Sequence, residues 1–352
     1  MSENCLKRSV LRQLNTGRKE ILCGAGVGED CAIFSFSEEG NIVSCLQEAS
    51  VAVTDEALAQ GTGEPVMTLP QLIQKCANNL AVKGAEPVAV MIALILPESL
   101  EEPELKSMMS AAKDICKKLS VDIAGGQTRV SAAVNMPVAV VTGYGKVVSE
   151  DMQDCGEVAQ KCREIKAAAN SIKAAKPGQD VVISKWIGLQ GTALVAKRNR
   201  DSLVTRYPVY FVEEACGFDR YLSIIPEAAT AIKSGVCAMH DASEGGIFAT
   251  LWELAEGAGV GLTIDLKKLP LRQETVEVCE HCNVNPYELL SGGCLVMTAE
   301  DGPALVTALE EAGIPAVIVG KVTDSKDRIL INEDEIRYMD KPKQDEVYRE
   351  IK

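Results

Sequence analysis

Residues 72–96 read LIQKCANNLAVKGAEPVAVMIALIL, which combines a helix, its end and a strand in one stretch. Apolar residues recur at helical spacing from Leu72 to Val82, and Gly84 followed by Pro87 indicates that the helix ends there. The unbroken apolar run 88–96 predicts a strand that is buried on both faces, with the helix folded back onto its sheet. This helix–strand unit predicts an α/β fold.

The polar centre of this helix is the pair Asn78–Asn79. Two interpretations of the pair stay open. The two amides can lie on a solvated or capping face of the helix, or they can supply neutral oxygen ligands to a bound ion or phosphate.

Composition narrows the class of protein. The chain has 352 residues, 47% of them hydrophobic, which is enough for two domains with a substantial core. No apolar run approaches the roughly 20 residues that span a bilayer, and the N-terminus lacks the apolar core of a secretory signal, so we expect a soluble, cytoplasmic protein without a membrane partner. The formal net charge of −14 argues against nucleic-acid binding.

Cysteine usage fits a reducing compartment. The 13 cysteines are scattered without the spacing of a secreted domain, so we expect mostly buried thiols. Cys279 and Cys282 form a single CxxC pair around His281, which is a weak indication of zinc.

Glycines and acids meet in residues 21–36, which read ILCGAGVGEDCAIFSF. The glycines permit close approach of phosphates, whereas Glu29 and Asp30 would repel them, so a divalent cation that bridges acid and phosphate would resolve the conflict. The stretch lacks the lysine of a P-loop and precedes a strand, so neither common nucleotide fingerprint applies.

Two further strand ends carry polar side chains. Asp55 follows the apolar run 49–54, where it can also be an ordinary turn residue. The short strand predicted over 121–124 leads into GGQTR, residues 125–129. We therefore expect oxygen ligands at three strand ends.

The second half begins after a predicted helix over 154–176, which ends at Pro177–Gly178. Farther along, residues 240–246 read HDASEGG and precede a helix predicted over 247–256, for which Ser243 is the expected cap. The free backbone N–H groups of this turn suit a substrate phosphate, and a capping turn without a ligand explains the same residues. We expect His240 to be a packed histidine.

Seven segments occur in the order that is typical of one family. They are GVGEDCAIF, VTDE, CANNLAVKGAEP and AGGQTRV in the first half, and AKPGQDVVISKWIGLQGTALVA, HDASEGGIFATLWELAEGAGVGLTID and LSGGCLVMTA in the second. Over most of residues 20–325 the chain resembles the aminoimidazole-ribonucleotide-synthetase, or PurM-like, superfamily, and within it the HypE-like hydrogenase maturation factors and thiamine-monophosphate kinase.

The resemblance implies a two-domain α/β fold. An N-terminal ATP-binding domain (1–150) would form an intersubunit β-barrel in a homodimer, a helical linker (151–176) would follow, and a C-terminal α/β sandwich (177–352) would close the site. ATP and Mg²⁺ would bind at the dimer interface.

The implied activity is kinase- or synthetase-like: ATP-dependent phosphoryl transfer to, or dehydration of, a small substrate of phosphorylated or carboxyl-like type. The alternative is a non-catalytic nucleotide-binding subunit for maturation or regulation, and a maturation partner protein is expected with either.

Residue by residue, the resemblance implies a catalytic role for Asp241 and cofactor contacts from Glu29, Asp30, Asp55, Asn78, Asn79, Gly125, Gly126, Gln127 and Arg129. The implied metal ligands are Asp30, Asp55, Asn79 and Gln127. Asn79 and Gln127 stand where the family usually has aspartate, so we expect weakened magnesium binding and slow turnover. HypE carries a terminal cysteine, whereas this sequence ends REIK, so we do not expect the HypE reaction on its own tail.

Overall fold

The computed structural model describes residues 21–23, 31–37, 40–61, 64–147 and 172–349. Glu29 and Asp30 lie outside the described residues, as does the predicted linker helix as far as residue 171. The described residues form two seven-stranded mixed sheets and the helices that cover them, so the predicted α/β class is confirmed. The domain boundary expected near residue 176 stays a prediction.

The first sheet is built from residues 21–147 and has the strand order β1-β2-β3-β7-β5-β6, with β4 beside β3. Its strands are β1 (Ile21–Cys23), β2 (Cys31–Ser37), β3 (Gly40–Ala52), β4 (Met67–Thr68), β5 (Glu86–Leu96), β6 (Asp122–Val130) and β7 (Val138–Val147). Its helices are α1 (Asp55–Gln60), α2 (Leu69–Val82) and α3 (Glu102–Leu119).

The second sheet has the strand order β14-β13-β10-β12-β8-β11-β9. Its strands are β8 (Asp180–Ser184), β9 (Ala238–Asp241), β10 (Gly261–Asp265), β11 (Leu295–Ala299), β12 (Ala316–Thr323), β13 (Arg328–Asn332) and β14 (Glu335–Tyr338). The helices of this half are α4 (Leu189–Arg198), α5 (Arg200–Arg206), α6 (Val209–Cys216), α7 (Ile225–Lys233), α8 (Gly246–Ala258), α9 (Gln273–Cys282) and α10 (Gly302–Glu311). No helix in the described ranges is long and apolar enough to cross a membrane.

Helix α2 lies between the two halves. It begins after Thr68, whose N–H donates to Gln71 Oε1 at 2.9 Å, and the turn after it contains Gly84 at a φ of 72°. Leu72 and Cys76 pack into the core of the first sheet, whereas Val82 packs with residues of the second half. Because both sides of α2 are covered, three of its polar residues, Gln74, Asn78 and Asn79, are buried as well.

Strand β5 differs from its prediction. The apolar run was expected to be buried on both faces, but its residues alternate, and the Met91 side chain is 42% exposed. One face of β5 lies under α2, and the opposite face of the sheet is open in the single chain. The apolar composition of the strand is therefore only half explained by the fold of one subunit.

Gly143 on β7 sets how closely α2 approaches the sheet. A Cβ at this position would lie 2.5 Å from the Sγ of Cys76 and 3.4 Å from the Sγ of Cys45. We expect Gly143→Ala to lower the free energy of unfolding by about 1–3 kcal/mol, because the helix must move or the side chains must leave their rotamers. Urea denaturation measures the change.

Gly61→Ala is the matched control for this substitution. Gly61 has an ordinary φ of −72°, and the nearest atom to an added Cβ is the Ala57 carbonyl oxygen at 3.3 Å. Its stability should change much less. Equal losses in the two variants would show that the contact of α2 with β7 is not close.

Candidate functional site

Asn78 and Asn79 are buried in the middle of α2, with exposures of 6% and 2%. Buried amides need hydrogen-bond partners, so the partners decide what the pair does. They connect α2 to two parts of the second half: the segment 221–224 and the end of β9 at Asp241. We call these contacts the α2 junction.

Asn78 binds the segment 221–224 through the backbone. Its Nδ2 donates to the carbonyl oxygen of Leu222 at 2.8 Å, and its Oδ1 accepts from Ile224 N at 3.2 Å and from Gln74 Nε2 at 2.9 Å. Protein donors therefore occupy the amide oxygen. These contacts account for Asn78 without a ligand, and the cofactor role implied for it stays a prediction.

Asn79 reaches the carboxylate of Asp241. With its amide oriented so that nitrogen faces acceptors, Nδ2 lies 2.9 Å from Asp241 Oδ2, 3.3 Å from Asp241 Oδ1 and 3.1 Å from the carbonyl oxygen of Lys75. Its oxygen then accepts from Gln47 Nε2 on β3 at 2.8 Å. The catalytic candidate Asp241, 7% exposed, is thus held by the helix that precedes β5.

His240, next to Asp241, is packed as predicted. It is buried, and its Nε2 lies 2.9 Å from Glu253 Oε2 on α8. Its Nδ1 is 3.9 Å from Asp241 Oδ1, which places an ionisable ring beside the carboxylate.

Lys185 fixes the segment 221–224 from the other side, and sequence reasoning missed it. Its Nζ donates to the carbonyl oxygens of Tyr221 at 2.7 Å and Ser223 at 2.6 Å, and lies 2.6 Å from Glu227 Oε1. Lys185 has a φ of 52°, which is rare for a residue with a side chain. The only local signal was a charged residue directly after the apolar strand β8.

Asp55 lies near an acid of the second half, and its implied role as a metal ligand stays a prediction. It is the first residue of α1, not the end of a strand, and Thr54 caps the helix by accepting from Ala57 N at 3.1 Å. Its acidic neighbour is Asp219. Burial raises the pKa of the Asp219 carboxyl, the paired Lys197 lowers it in part, and the charge of Asp55 raises it further.

Residues 125–129 lie within the edge strand β6, whereas the prediction put them in a loop after a shorter strand. Gly126 is required by packing, because a Cβ there would lie 1.8 Å from the Ile92 carbonyl oxygen on β5. Gly125, Gln127 and Arg129 are exposed.

Of the predicted site residues, Asn79 meets Asp241. The described structure shows no hydrogen bond among Asp55, Asn79 and Gln127, and their role as metal ligands stays a prediction. The described ranges also contain no cluster of three or more His, Cys, Asp or Glu side chains that suits a metal ion. Cys279 is buried on α9, and His281 contacts Ser202 Oγ at 2.7 Å.

The turn before α8 is occupied by a carboxylate of the chain itself. Asp345 Oδ2 accepts from Gly245 N at 2.6 Å, and Oδ1 accepts from Leu290 N at 3.1 Å and Val347 N at 2.9 Å. The expected cap at Ser243 is wrong, because Gly245 is the residue at the N-cap. A substrate phosphate at these N–H groups would have to displace Asp345, which no local sequence signal had indicated.

Burial raises the pKa of Asp345 to about 7, although the three backbone N–H groups lower it. Because this folded pKa lies above the ordinary 3.8, the folded protein holds the proton more tightly than the unfolded chain does. The stability due to this group is complete below pH 3.8 and is lost as the pH rises through about 7.

We therefore expect the free energy of unfolding of the wild type, relative to Asp345→Asn, to fall between pH 5 and pH 8, as roughly one proton is released. Denaturant titrations across this range measure the difference. Asp340→Asn is the control, since Asp340 is exposed and pairs with Lys343. A pH dependence that is the same in wild type and Asp345→Asn would contradict the raised pKa.

Two sequence patterns of one family match the chain in order. The pattern of the AIR synthase related protein, N-terminal domain, covers residues 28–147, and that of the C-terminal domain covers residues 176–332. The chain belongs to the AIR synthase related family. The resemblance noted in the sequence is thereby confirmed.

Among its relatives is the carbamoyl dehydratase HypE of Rhodobacter capsulatus, which is 27% identical over an alignment of 291 residues that covers 78% of this chain and 78% of the relative. The crystal structure of a HypE–HypF complex matches 96% of this chain and 99% of its counterpart with a TM-score of 0.72 at 22% identity. The crystal structure of a HypE in complex with ATP matches 98% of this chain and 96% of the HypE chain, with a TM-score of 0.67 at 16% identity. These likenesses confirm the PurM-like fold.

Proposed function

We propose that this protein is a HypE-like nucleotide-binding protein that activates a small substrate at the expense of ATP. The observation that supports this most is the match of fold along 98% of the chain to a HypE in complex with ATP. The α2 junction supports it further, because the candidate catalytic Asp241 is held at the boundary between the two halves. Ligand sites often occupy such boundaries.

Magnesium would accompany the nucleotide and would be held mainly through phosphate oxygens. Mg²⁺ usually keeps several waters and takes one or two carboxylates together with substrate phosphates. Asp55 is exposed and fits that role, and Asp30 is the second acid that the resemblance implies. Asn79 is the weaker candidate, because its amide oxygen is neutral and already accepts one hydrogen bond from Gln47.

The reaction class is phosphoryl transfer or dehydration of a phosphorylated or carboxyl-like substrate, with Asp241 as the catalytic carboxylate. The alternative is a non-catalytic maturation or regulatory subunit in the cytoplasm. It is favoured by the neutral side chains of Asn79 and Gln127, since phosphoryl transfer depends on charge placed around the phosphate. ATP turnover in the presence of candidate substrates distinguishes the two.

Titration calorimetry with ATP and magnesium tests nucleotide binding. We expect Asp55→Asn to weaken the affinity about tenfold, on the order of the loss of one metal-supporting carboxylate. Glu56→Gln is the matched control, because Glu56 is an exposed acid next in sequence on the same helix. Absence of ATP and ADP binding, with and without magnesium, would refute the proposal.

We also propose that the chain forms a homodimer through the open face of the first sheet. Leu46 on β3 and Met91 on β5 both pair with Thr142 on β7, so their side chains lie in one row, with exposures of 57% and 42%. Tyr144 lies on the same face, and its hydroxyl contacts Met91 Sδ at 3.8 Å. An apolar sheet face of this kind is typical of a protein interface.

Light scattering at micromolar concentration tests the dimer. Leu46→Asp should give monomers, because it places a charge in the apolar face. Val209→Asp, at a comparably exposed apolar residue that begins α6, should leave the dimer intact. A monomeric wild type, or an unchanged mass for Leu46→Asp, would show that this face is not the interface.

A maturation protein is the proposed second partner. The support is the HypE–HypF complex, whose HypE fold this chain shares along 96% of its length.

A further inference from the structure

The contact between Asn79 and Asp241 joins elements from the two halves of the chain. Asn79 belongs to α2, which lies on the first sheet, and Asp241 ends β9, an edge strand of the second sheet. Both side chains are more than nine-tenths buried. The amide nitrogen lies within 3.3 Å of both carboxylate oxygens, and Gln47 on β3 fixes the amide oxygen.

Whether position 79 carries an amide or a carboxylate decides how the buried charge of Asp241 can be compensated. A buried carboxylate is costly unless hydrogen bonds or a countercharge compensate for the lost water. An amide supplies N–H donors directly. A second carboxylate at the same distance would repel the first, and the pair would need a shared proton or a bridging cation.

We propose that Asn79 joins α2 to Asp241 by hydrogen bonds from its amide, so that this junction closes without a divalent cation. Asn79 is then a positioning residue for Asp241, and its amide determines that the contact is independent of metal. The proposal goes beyond nucleotide binding, since it concerns how the two halves are held together when no nucleotide is present.

The surroundings agree with a junction that is built from hydrogen bonds. Within the described ranges no cluster of three or more metal-ligating side chains occurs at this place or elsewhere. The ring of His240 lies 3.9 Å from Asp241 Oδ1, and its other nitrogen lies 2.9 Å from Glu253 Oε2.

Asn79→Asp tests the proposal by converting the amide–carboxylate pair into two carboxylates. In excess EDTA, without nucleotide, we expect Tm to fall by about 5 °C or more, because two buried like charges then face each other. Millimolar magnesium or calcium chloride should restore most of the loss by bridging the two. The measured quantity is the Tm gain with metal in the variant minus the gain in the wild type, so any metal bound elsewhere cancels.

Two further variants separate this effect from general damage. Asn78→Asp replaces the neighbouring amide, which contacts Leu222 O, Ile224 N and Gln74, so its stability should fall without recovery in metal. The exchanged pair Asn79→Asp with Asp241→Asn again places one amide opposite one carboxylate. It should be more stable in EDTA than Asn79→Asp alone and should lose the response to metal.

Three outcomes would overturn the proposal. They are an unchanged Tm of Asn79→Asp in EDTA, a metal-induced gain no larger than that of wild type or of Asn78→Asp, and an exchanged pair that still responds to metal. The Tm measurements are made without nucleotide, so a result that overturns this proposal is distinct from a failure of ATP binding.

Discussion

The two buried amides of α2 are the constraint on which the rest of the structure depends. A helix covered on both sides cannot leave Asn78 and Asn79 without partners, because an unsatisfied buried polar group costs about 1–3 kcal/mol. Both amides find those partners in the second half of the chain: the backbone of 221–224 and the carboxylate of Asp241. The relative placement of the two sheets is thereby tied to specific hydrogen bonds as well as to apolar packing.

The second half supplies its own buried charges to hold the facing segments. Lys185 and Glu227 pair beside the segment that Asn78 binds, and Asp345 fills the turn before α8. Removing one partner of a buried ion pair costs more than the pair contributes, because the remaining charge is left without compensation. These buried polar groups favour one arrangement of the chain around Asp241, and the catalytic role proposed for Asp241 would need such precision.

The acidic candidates for the site occur in two different surroundings, which suggests different roles in an ATP-dependent reaction. The charge of Asp55, on α1, raises the pKa of Asp219, whereas Asp241 lies at the α2 junction with an amide as its neighbour. In an ATP-dependent reaction these two places would have different tasks. The exposed carboxylate of Asp55 suits a hydrated metal–phosphate complex, and the buried carboxylate of Asp241 suits contact with the substrate. The separation is consistent with an enzyme and equally with a subunit that binds nucleotide without fast turnover.

Much of the fold was readable from the sequence, because it rests on local periodicity and chain order. The 3.6-residue pattern of Leu72–Val82, the glycine at 84 and the apolar run after it determine α2, its end and β5, and the ordered motifs determine the family. The ordered motifs also indicated which residues are candidates for the site. The strand predicted over 121–124 is shorter than β6, because a Gly-Gly pair is typical of a turn, whereas Gly126 lies inside the strand, where close packing on Ile92 requires a glycine.

Tertiary structure alone decided which residues meet. Asn79 contacts Asp241 across 162 positions of sequence, and Asp345 reaches Gly245 across 100. No local pattern encodes such pairs, since each depends on how two sheets pack. The open face of β5 could not be predicted for a related reason: an apolar run has the same composition whether or not the rest of the chain covers its second face. The sequence by itself determined the helices and strands and their order. The packing of the two sheets decided which polar side chains hydrogen-bond within the chain and which stay accessible to a ligand.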